Sequence, residues 1–319
     1  MSTAELTASV PVVAESHQVL EKYGTSFALA GRLLPRASRD DAAVVYAFCR
    51  LVDDAADEAP SIAAAEIALD RIDAELSGAV SARPLIRAYR EVCLRREIPV
   101  EAAAELLAGV RSDLRPVRVA DDAELLRYAY RVAGTVGLMM CGVLGVRDRR
   151  AWAQAIDLGV AMQLTNICRD VAEDAGRGRV YLPESRLRAH GLSSDALLAL
   201  DAGQRDEIRR GTAAVTGALL ALAERYYHSA TTGLGAIPLR ARLAIGAAFR
   251  IYRAIGVRLQ RRHGADPWHG RTIVPWRWRL LHLVAGVAVA LVSRALRRPH
   301  RHGLHRALQG LPGVGVAEI

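Results

Sequence analysis

Helical periodicity is the feature that most limits what this chain can fold into. Apolar residues recur at spacings of three and four along most of the 319 residues, whereas stretches that alternate apolar and polar residues are nearly absent. Only 5% of the residues are aromatic, and Ala, Leu, Val and Arg dominate, a mix that favours helix over sheet. The breaks between helical stretches are too short to be domain linkers. The sequence therefore predicts an all-α protein.

Positive charge is concentrated in the C-terminal quarter of the chain. From residue 241 onward there are fourteen arginines but only two acids, Asp266 and Glu318, whereas the whole chain has a net charge of +9. Within this quarter, residues 281–292 (LHLVAGVAVALV) carry no charge. A membrane-spanning helix needs about 20 apolar residues, so this run is too short to span a bilayer. It is either a last core helix or a helix in the bilayer interface, with Trp276 and Trp278 at the headgroups.

Three sequence patterns are absent, and each absence limits the partners or the cellular compartment that we expect for the protein. The usual zinc, RNP and basic-zipper signatures are missing, so we expect no nucleic-acid partner. The four cysteines form no CxxC pair and lie within apolar helical patterns, which is typical of reduced packing residues. The first fifteen residues lack the pattern of a secretory signal. We expect a cytoplasmic protein, with peripheral contact at the inner face of the cell membrane.

An acidic stretch, FCRLVDDAADE at 48–58, ends one helical segment. Asp53 and Asp57 are four residues apart and lie about 40° apart around a helix axis, so they share one face. Asp54 and Glu58 form a second pair with the same spacing. Like charges at this spacing destabilise a helix, and acids near its C-terminal end oppose the helix dipole. A divalent cation would offset the repulsion, whereas the alternative is a solvated helix end.

A second group of oxygen ligands lies in AMQLTNICRDVAED at 161–174. Asn166, Asp170 and Asp174 follow one another at intervals of four, one per helical turn on one stripe. Such oxygen donors suit Mg²⁺, with Mn²⁺ as a substitute, and do not suit zinc. If both groups face each other across a bundle, bridging ions could grip a diphosphate. The nearby arginines would bind phosphate or pair with the neighbouring aspartates; they are Arg50, Arg169, Arg177 and Arg179.

The two acidic motifs, with RYAYRVAGTVGLM at 127–139 and SFALAGRLLP at 26–35, resemble the squalene and phytoene synthase family. The resemblance implies an all-α isoprenoid synthase fold, a single-domain helical bundle around a central cavity. It covers residues 16–279, which are predicted to form the isoprenoid synthase domain. Residues 1–15 are expected to be a flexible N-terminus, and residues 280–319 a basic, apolar C-terminal helix and tail that contacts the membrane.

The resemblance also implies roles for individual residues. Mg²⁺ would be held by Asp53, Asp57, Asn166, Asp170 and Asp174. The diphosphate site would be lined by Tyr46, Arg50, Gln163, Arg169, Tyr252 and Arg271. Tyr128 matches a family tyrosine near the reacting carbons, where it could assist proton removal or stabilise a cation; the alternative is a core tyrosine with a satisfied hydroxyl. The family usually has a lysine shortly after Arg271, whereas this chain has Arg277 and Arg279.

Small residues indicate a path for a prenyl tail. Going back from Asp53, Ala43 and its small neighbours lie about 9 to 17 Å along the helix. Gly134 and Gly137 each cost about 1 kcal/mol inside a helix, so close approach of substrate or of a neighbouring helix would explain them. The predicted tail contacts are Gly31, Ala43, Val132 and Gly134. This path is consistent with a C20 chain.

The expected reaction is the Mg²⁺-dependent head-to-head condensation of two geranylgeranyl diphosphates to 15-cis-phytoene, because YAFCRLVDDAADE most resembles the phytoene branch. The alternative is a dehydrosqualene or squalene-type synthase that uses two farnesyl diphosphates. A class I terpene cyclase and a non-catalytic scaffold relative are further hypotheses. No GxGxxG follows a strand, and no NADPH is expected. The expected partners are prenyl diphosphates, and the protein is expected to be a monomer or weak homo-oligomer.

Overall fold

The computed structural model describes residues 3–199, 205–292 and 300–315. Within these ranges the chain forms fourteen α-helices and no β-strand, and a single isolated bridge joins Arg118 and Val180. The prediction of an all-α fold is confirmed.

The α-helices follow one another along the chain with short connections. They are α1 (Thr3–Tyr23), α2 (Thr25–Gly31), α3 (Arg36–Asp57), α4 (Ile62–Ser77), α5 (Pro84–Arg96), α6 (Val100–Ser112), α7 (Asp122–Ala129), α8 (Thr135–Val143), α9 (Trp152–Gly176), α10 (Glu184–Arg188), α11 (Ser194–Ala199), α12 (Arg205–Gly233), α13 (Leu239–His263) and α14 (Trp276–Val292). A π-helical turn, Tyr130–Gly134, joins α7 to α8, and a 3₁₀ helix, His302–Leu308, lies in the C-terminal segment.

Local sequence signals explain several helix ends. Ser61 and Asp121 cap α4 and α7, because each side chain accepts a hydrogen bond from the backbone N–H group three residues later. Pro84 begins α5, where its fixed φ suits the first turn. Gly78 and Gly264 follow α4 and α13 in the left-handed conformation, which glycine adopts without steric cost. The helix limits therefore depend largely on local chemistry.

Two large hydrophobic clusters form most of the core. One combines α3, α4, α5, α6 and α8, and within it the rings of Phe48 and Tyr89 stack with centroids 3.8 Å apart. The other surrounds α9 and α12 and includes Ile156 and Tyr227. The first acidic motif ends α3 and the second lies on α9. Each motif therefore extends from a different half of the core.

The predicted domain boundaries fall inside helices. Residue 16 lies within α1, so residues 3–15 are helical, and their flexibility stays a prediction. Residue 280 lies within α14, which packs closely on α13: a Cβ atom at Gly286 would lie 2.4 Å from the carbonyl oxygen of Gly246. Among the residues described, no helix has the length and apolar character needed to cross a membrane. Residues 293–299 and 316–319 of the predicted tail lie outside the described ranges.

Candidate functional site

The C-terminal ends of α3 and α9 meet through ion pairs. Arg179, just beyond α9, donates from Nη2 to Asp57 Oδ1 at 3.0 Å. Arg177 Nη1 lies 3.9 Å from the other oxygen of the same carboxylate. Asp57 belongs to the first acidic motif, and the two arginines directly follow the second. Arg179 and Asp57 are 122 residues apart in the chain, so the fold brings the two motifs together at this contact.

Arginines also pair with the other acids of both motifs. Arg169 donates two hydrogen bonds to Asp170, one of them from Nε at 2.7 Å. Arg271 Nε lies 3.3 Å from the same carboxylate, so this predicted distal phosphate contact adjoins the second motif. Arg50 pairs with Asp54 one turn along α3. Both Arg50 and Arg169 therefore pair with neighbouring aspartates here, and their contact with phosphate stays a prediction.

Burial raises the pKa of several side chains of the site. Asp53 is exposed to solvent, yet burial within the protein is the largest cause that raises its pKa to about 7. Asp174 is half-buried, and burial together with the charge of Asp170 raises its pKa to about 7. Cys49 and Tyr252 also keep accessible surface, although burial raises the pKa of each. Burial therefore disfavours the charged form of Asp53 and of Asp174.

The chemistry of the ligand set fits a divalent cation. Asn166 Oδ1 is buried without a hydrogen-bond partner, whereas its amide nitrogen donates to Gln163 Oε1 at 3.4 Å. A buried carbonyl oxygen without a partner is costly, and a cation would satisfy it. Burial is the largest cause of the raised pKa of Asp53 and of Asp174, and the charges of neighbouring carboxylates add to it. In the described ranges, no three acids of these motifs have ligand oxygens within 4.8 Å of one another, so the ligands do not form a closed cluster.

Asp113, directly after α6, connects Tyr128 to the acidic motifs. Tyr128 Oη donates to Asp113 Oδ2 at 2.9 Å, and Tyr181 Oη donates to Oδ1 at 2.8 Å. The two tyrosine rings stack with centroids 4.8 Å apart. Burial raises the pKa of Asp113 to about 6, the tyrosines and Arg179 oppose this rise, and the charge of Asp57 adds to it. The hydroxyl of Tyr128 is therefore satisfied, but by a carboxylate within electrostatic reach of the first motif.

Sequence analysis missed Asp113 and Tyr181. Asp113 stands alone in RSDLRP, and Tyr181 stands in a loop after the second motif, so neither belongs to a periodic group of polar residues. The Arg-Val-Tyr-Leu-Pro continuation of the second motif was the only signal that could have drawn attention to Tyr181.

An aromatic wall joins α2, α3 and α13. The ring of Phe27 stacks on that of Tyr252 with centroids 5.1 Å apart and lies 6.4 Å from that of Tyr46. Burial raises the pKa of Tyr46 to about 12. For Tyr252, burial raises the pKa, and nearby positive charges, including that of Arg279, oppose the rise. Of the two arginines near the expected lysine position, Arg279 thus lies within electrostatic reach of Tyr252, whereas Arg277 is exposed.

The predicted tail contacts do not all lie on open space. A Cβ atom at Gly31 would meet nothing within 4 Å, so space adjoins α2 there. Val132 is half-buried, and its Cγ1 lies 2.8 Å from where a Cβ atom of Gly109 would be. Ala43 is 0% exposed. Neighbouring helices cover this residue, and its contact with the tail stays a prediction.

Helix packing explains the glycines of the 127–139 motif. A Cβ atom at Gly137 would lie 2.3 Å from the carbonyl oxygen of Ala155 on α9. A Cβ atom at Gly134 would lie 3.1 Å from the ring of Tyr130 and 3.4 Å from Ile156. Of the two explanations that the sequence left open, close approach of a neighbouring helix is the one observed. Packing against Tyr130 and Ile156 thus accounts for Gly134, and its contact with the tail stays a prediction.

Comparisons with known proteins agree with this fold. Residues 20–279 match the family described as squalene/phytoene synthase. The chain is 35% identical over 288 residues to the 15-cis-phytoene synthase of Pantoea ananas, a match that covers 86% of this chain and 91% of the relative. It is 38% identical over 272 residues to the 15-cis-phytoene synthase of a Paracoccus strain, with 82% and 86% covered.

Solved structures of related enzymes have a similar fold. A crystal structure of a dehydrosqualene synthase with a ligand matches with a TM-score of 0.78 and 28% identity, covering 88% of this chain and 96% of that one. The squalene synthase from Alicyclobacillus acidocaldarius matches with a TM-score of 0.69 and 24% identity, covering 81% and 95%, a likeness of fold. This chain has the all-α terpenoid synthase fold, and by sequence and structure it belongs to the squalene/phytoene synthase family.

Proposed function

We propose that this protein is a 15-cis-phytoene synthase, a prenyltransferase of carotenoid biosynthesis. It would join two geranylgeranyl diphosphates head to head through prephytoene diphosphate and release diphosphate at each ionisation. The observation that carries the proposal is the convergence of the two acidic motifs, marked by the contact between Arg179 and Asp57 at 3.0 Å. The relatives from Pantoea ananas and Paracoccus, both named 15-cis-phytoene synthase, support the choice of product.

The substrate diphosphate is proposed to bind between the two motifs. The predicted ligands, Asp53, Asp57, Asn166, Asp170 and Asp174, would hold Mg²⁺ or Mn²⁺, which when bound neutralises the leaving diphosphate. Arg50, Arg169 and Arg271 now pair with carboxylates. Each can exchange a carboxylate for a phosphate oxygen, because guanidinium groups donate to both in the same planar fork. Gln163 would support the site through its contact with Asn166.

The aromatic wall and the Asp113 network serve the carbon chemistry in this proposal. The rings of Tyr46 and Tyr252 can stabilise a carbocation by their electron-rich faces. Formation of the central double bond requires loss of one proton from carbon. The oxygen of Tyr128 can accept that proton while its own hydroxyl proton passes to Asp113 Oδ2, 2.9 Å away. With a pKa of about 6, Asp113 is mainly ionised at pH 7 and can take the proton.

Product analysis tests this function. Purified protein with Mg²⁺ and geranylgeranyl diphosphate, without NADPH, is expected to release a C40 hydrocarbon. Asp53→Asn and Asp170→Asn should abolish turnover. Asp206→Asn is the matched control, because Asp206 is exposed in the first turn of α12 and belongs to neither acidic motif. Turnover that survives Asp170→Asn would contradict the proposed site, and a cyclic product from one diphosphate would contradict the reaction.

A dehydrosqualene-type synthase that joins two farnesyl diphosphates is the second candidate. The likeness to the solved dehydrosqualene synthase, with a TM-score of 0.78, favours it. Parallel assays with C15 and C20 substrates separate the two candidates. We expect kcat/KM to be at least about tenfold higher for the C20 substrate, equivalent to about 1.4 kcal/mol. A C30 product at the higher rate would reject the phytoene assignment.

We further propose that the cytoplasmic protein binds the membrane surface through α14. Leu281, Val284 and Leu291 are 54%, 64% and 59% exposed and share one stripe of the helix. Trp276, at the beginning of α14, is 73% exposed and lies beside the exposed Arg277. An apolar stripe with tryptophan and arginine at one end suits the bilayer interface, and both the C20 substrate and its hydrocarbon product are lipids. In the absence of lipid we expect a monomer or weak homo-oligomer.

Vesicle flotation tests the membrane contact. The wild-type protein is expected to float with vesicles that contain anionic lipid, whereas Leu281→Glu combined with Val284→Glu should stay in the soluble fraction. Ile67→Glu is the control, since Ile67 is 69% exposed on α4 and outside the stripe. If the double variant floats as well as the wild type, α14 is not the contact. If it instead converts a stable dimer to a monomer, a second copy covers the stripe.

A further inference from the structure

A buried carboxylate on α9 lies between two histidines of the C-terminal segment 300–315. His300 Nε2 is 2.9 Å from Asp157 Oδ2, and His305 Nε2 is 2.8 Å from Oδ1. The side chains are 0%, 4% and 6% exposed for Asp157, His300 and His305. Throughout the described ranges, this is the only group of three His, Cys, Asp or Glu whose ligand atoms all lie within 4.8 Å of one another.

This cluster is separate from the acidic motifs. Asp157 precedes Asn166 by nine residues, which places it about 13 Å away along α9 and about half a turn around the axis. The two residues therefore point to opposite faces of the helix. The stripe of Asn166, Asp170 and Asp174 faces the first acidic motif, whereas Asp157 faces the C-terminal segment.

Burial disfavours the charged form of Asp157, but the hydrogen bonds and charges of His300 and His305 outweigh this effect and hold its pKa below the ordinary value. A fully buried carboxylate is costly unless a cation or a complete set of hydrogen bonds compensates it. Among the residues described, the basic groups within 4 Å of Asp157 are the two imidazoles. A neutral imidazole carries no positive charge, but its nitrogen lone pair can bind a metal ion. A divalent ion among the three side chains would take the place of these two hydrogen bonds, with the carboxylate and both rings as its ligands.

The ligand types decide which ions fit. Two imidazole nitrogens with one carboxylate suit Zn²⁺ and related transition metals, whereas Mg²⁺ prefers oxygen ligands only. At metal–ligand distances of about 2.0 to 2.1 Å, tetrahedral ligand atoms lie about 3.3 Å apart. The ligand atoms of the three side chains, one from each, all lie within 4.8 Å of one another. They would therefore have to approach one another to reach the spacing of a bound ion.

We propose that Asp157, His300 and His305 form a binding site for one divalent transition-metal ion, with Zn²⁺ as the expected occupant. A cavity of about 90 Å³, lined in part by His300, His302 and His305, adjoins the cluster. It has room for water, which can take the fourth coordination position. The site is a structural one, because its ligands join the C-terminal segment to the middle of the bundle.

The segment that the ion would hold already packs on the core. Leu304 and Leu308 belong to the hydrophobic cluster around α9 and α12. Tyr226 Oη donates to the carbonyl oxygen of Leu304 at 2.7 Å, and Tyr130 Oη donates to that of Pro312 at 2.5 Å. Tyr130 begins the π-helical turn that contacts α9. Metal binding would therefore stabilise α9, α12 and the π-helical turn together with the segment.

Cobalt spectroscopy on the full chain tests the site. After removal of metal with a chelator, the protein is titrated with Co²⁺ in excess Mg²⁺, which occupies the oxygen ligands of the acidic motifs. We expect one equivalent of Co²⁺ to give the strong visible absorption of four- or five-coordinate cobalt, and Zn²⁺ to displace it. The Tm should rise with free Zn²⁺. Wild-type protein that binds no stoichiometric Co²⁺ or Zn²⁺ would overturn the proposal without any variant.

Variants then locate the ion. Asp157→Asn, His300→Ala and His305→Ala should each lose the cobalt absorption and the Zn²⁺-dependent rise in Tm. His228→Ala is the matched control, because His228 is exposed on α12. Asp170→Asn should keep the absorption, since it changes only the acidic motif. Absorption that survives His300→Ala and His305→Ala, or that disappears in Asp170→Asn, would place the ion elsewhere and reject the site.

Discussion

Substitutions of Tyr128 and Tyr181 can distinguish an effect on catalysis from an effect on stability, because the two side chains make similar contacts. Each hydroxyl donates to one oxygen of Asp113, at 2.9 and 2.8 Å, and the two rings stack with centroids 4.8 Å apart. A hydrogen bond to a charged group contributes about 1.5 to 3 kcal/mol. Because Asp113 keeps a second donor in either variant, we expect Tyr128→Phe and Tyr181→Phe each to lower the free energy of unfolding by about 1.5 kcal/mol.

The two variants should differ in activity. If Tyr128 accepts the proton from carbon, Tyr128→Phe should lower kcat by about 10²- to 10⁴-fold, the usual contribution of a general base. Tyr181→Phe changes only the position and hydration of Asp113, so its kcat should fall less than about tenfold. Asp113→Asn should resemble Tyr128→Phe, because an amide cannot take up the proton.

Urea unfolding and steady-state product formation, measured on the same preparations, check this prediction. The Asp113 network is refuted as a proton path if both tyrosine variants lose activity equally, since the loss would then follow from stability alone. An unchanged kcat in Tyr128→Phe would refute it as well. Unequal losses of stability would indicate that the two hydrogen bonds are not equivalent, contrary to their similar lengths.

Two further predictions concern stability. Gly159→Ala should destabilise the protein by about 2 kcal/mol despite the higher helix propensity of alanine, because the new Cβ atom would lie 2.2 Å from the carbonyl oxygen of Ala133. Gly176→Ala is the control in the same helix, because its Cβ atom would meet nothing within 4 Å. Urea unfolding should show no loss of stability for this control. Hydrogen bonds from Arg83 lower the pKa of Glu75 to about 2, from about 4.5 in the unfolded chain. The ionised carboxylate therefore stabilises the folded protein fully above pH 4.5, and this contribution is lost as the pH falls towards 2. Arg83 and Arg71 cover Glu75 near the surface, where water screens the pair, so the wild type should lose only about 1 to 2 kcal/mol relative to Glu75→Gln between pH 5 and pH 2.5. Equal pH dependence of the two proteins in thermal unfolding would contradict this linkage.

The sequence alone determined the features that depend on helix geometry. The all-α fold follows from apolar spacings of three and four, and the stripe of Asn166, Asp170 and Asp174 follows from intervals of four residues. Both depend on the 3.6-residue turn, which is the same in every α-helix. Family membership was equally accessible, because the two acidic motifs are contiguous stretches whose order and context are distinctive.

Only the tertiary structure decided which distant residues meet. It paired Arg179 with Asp57, placed Asp113 between two tyrosines, and set Asp157 against two histidines almost 150 residues later. It also covered Ala43 fully and packed Gly134 against its neighbours. Such contacts depend on how whole helices pack, and no local spacing encodes the angle or depth at which one helix meets another.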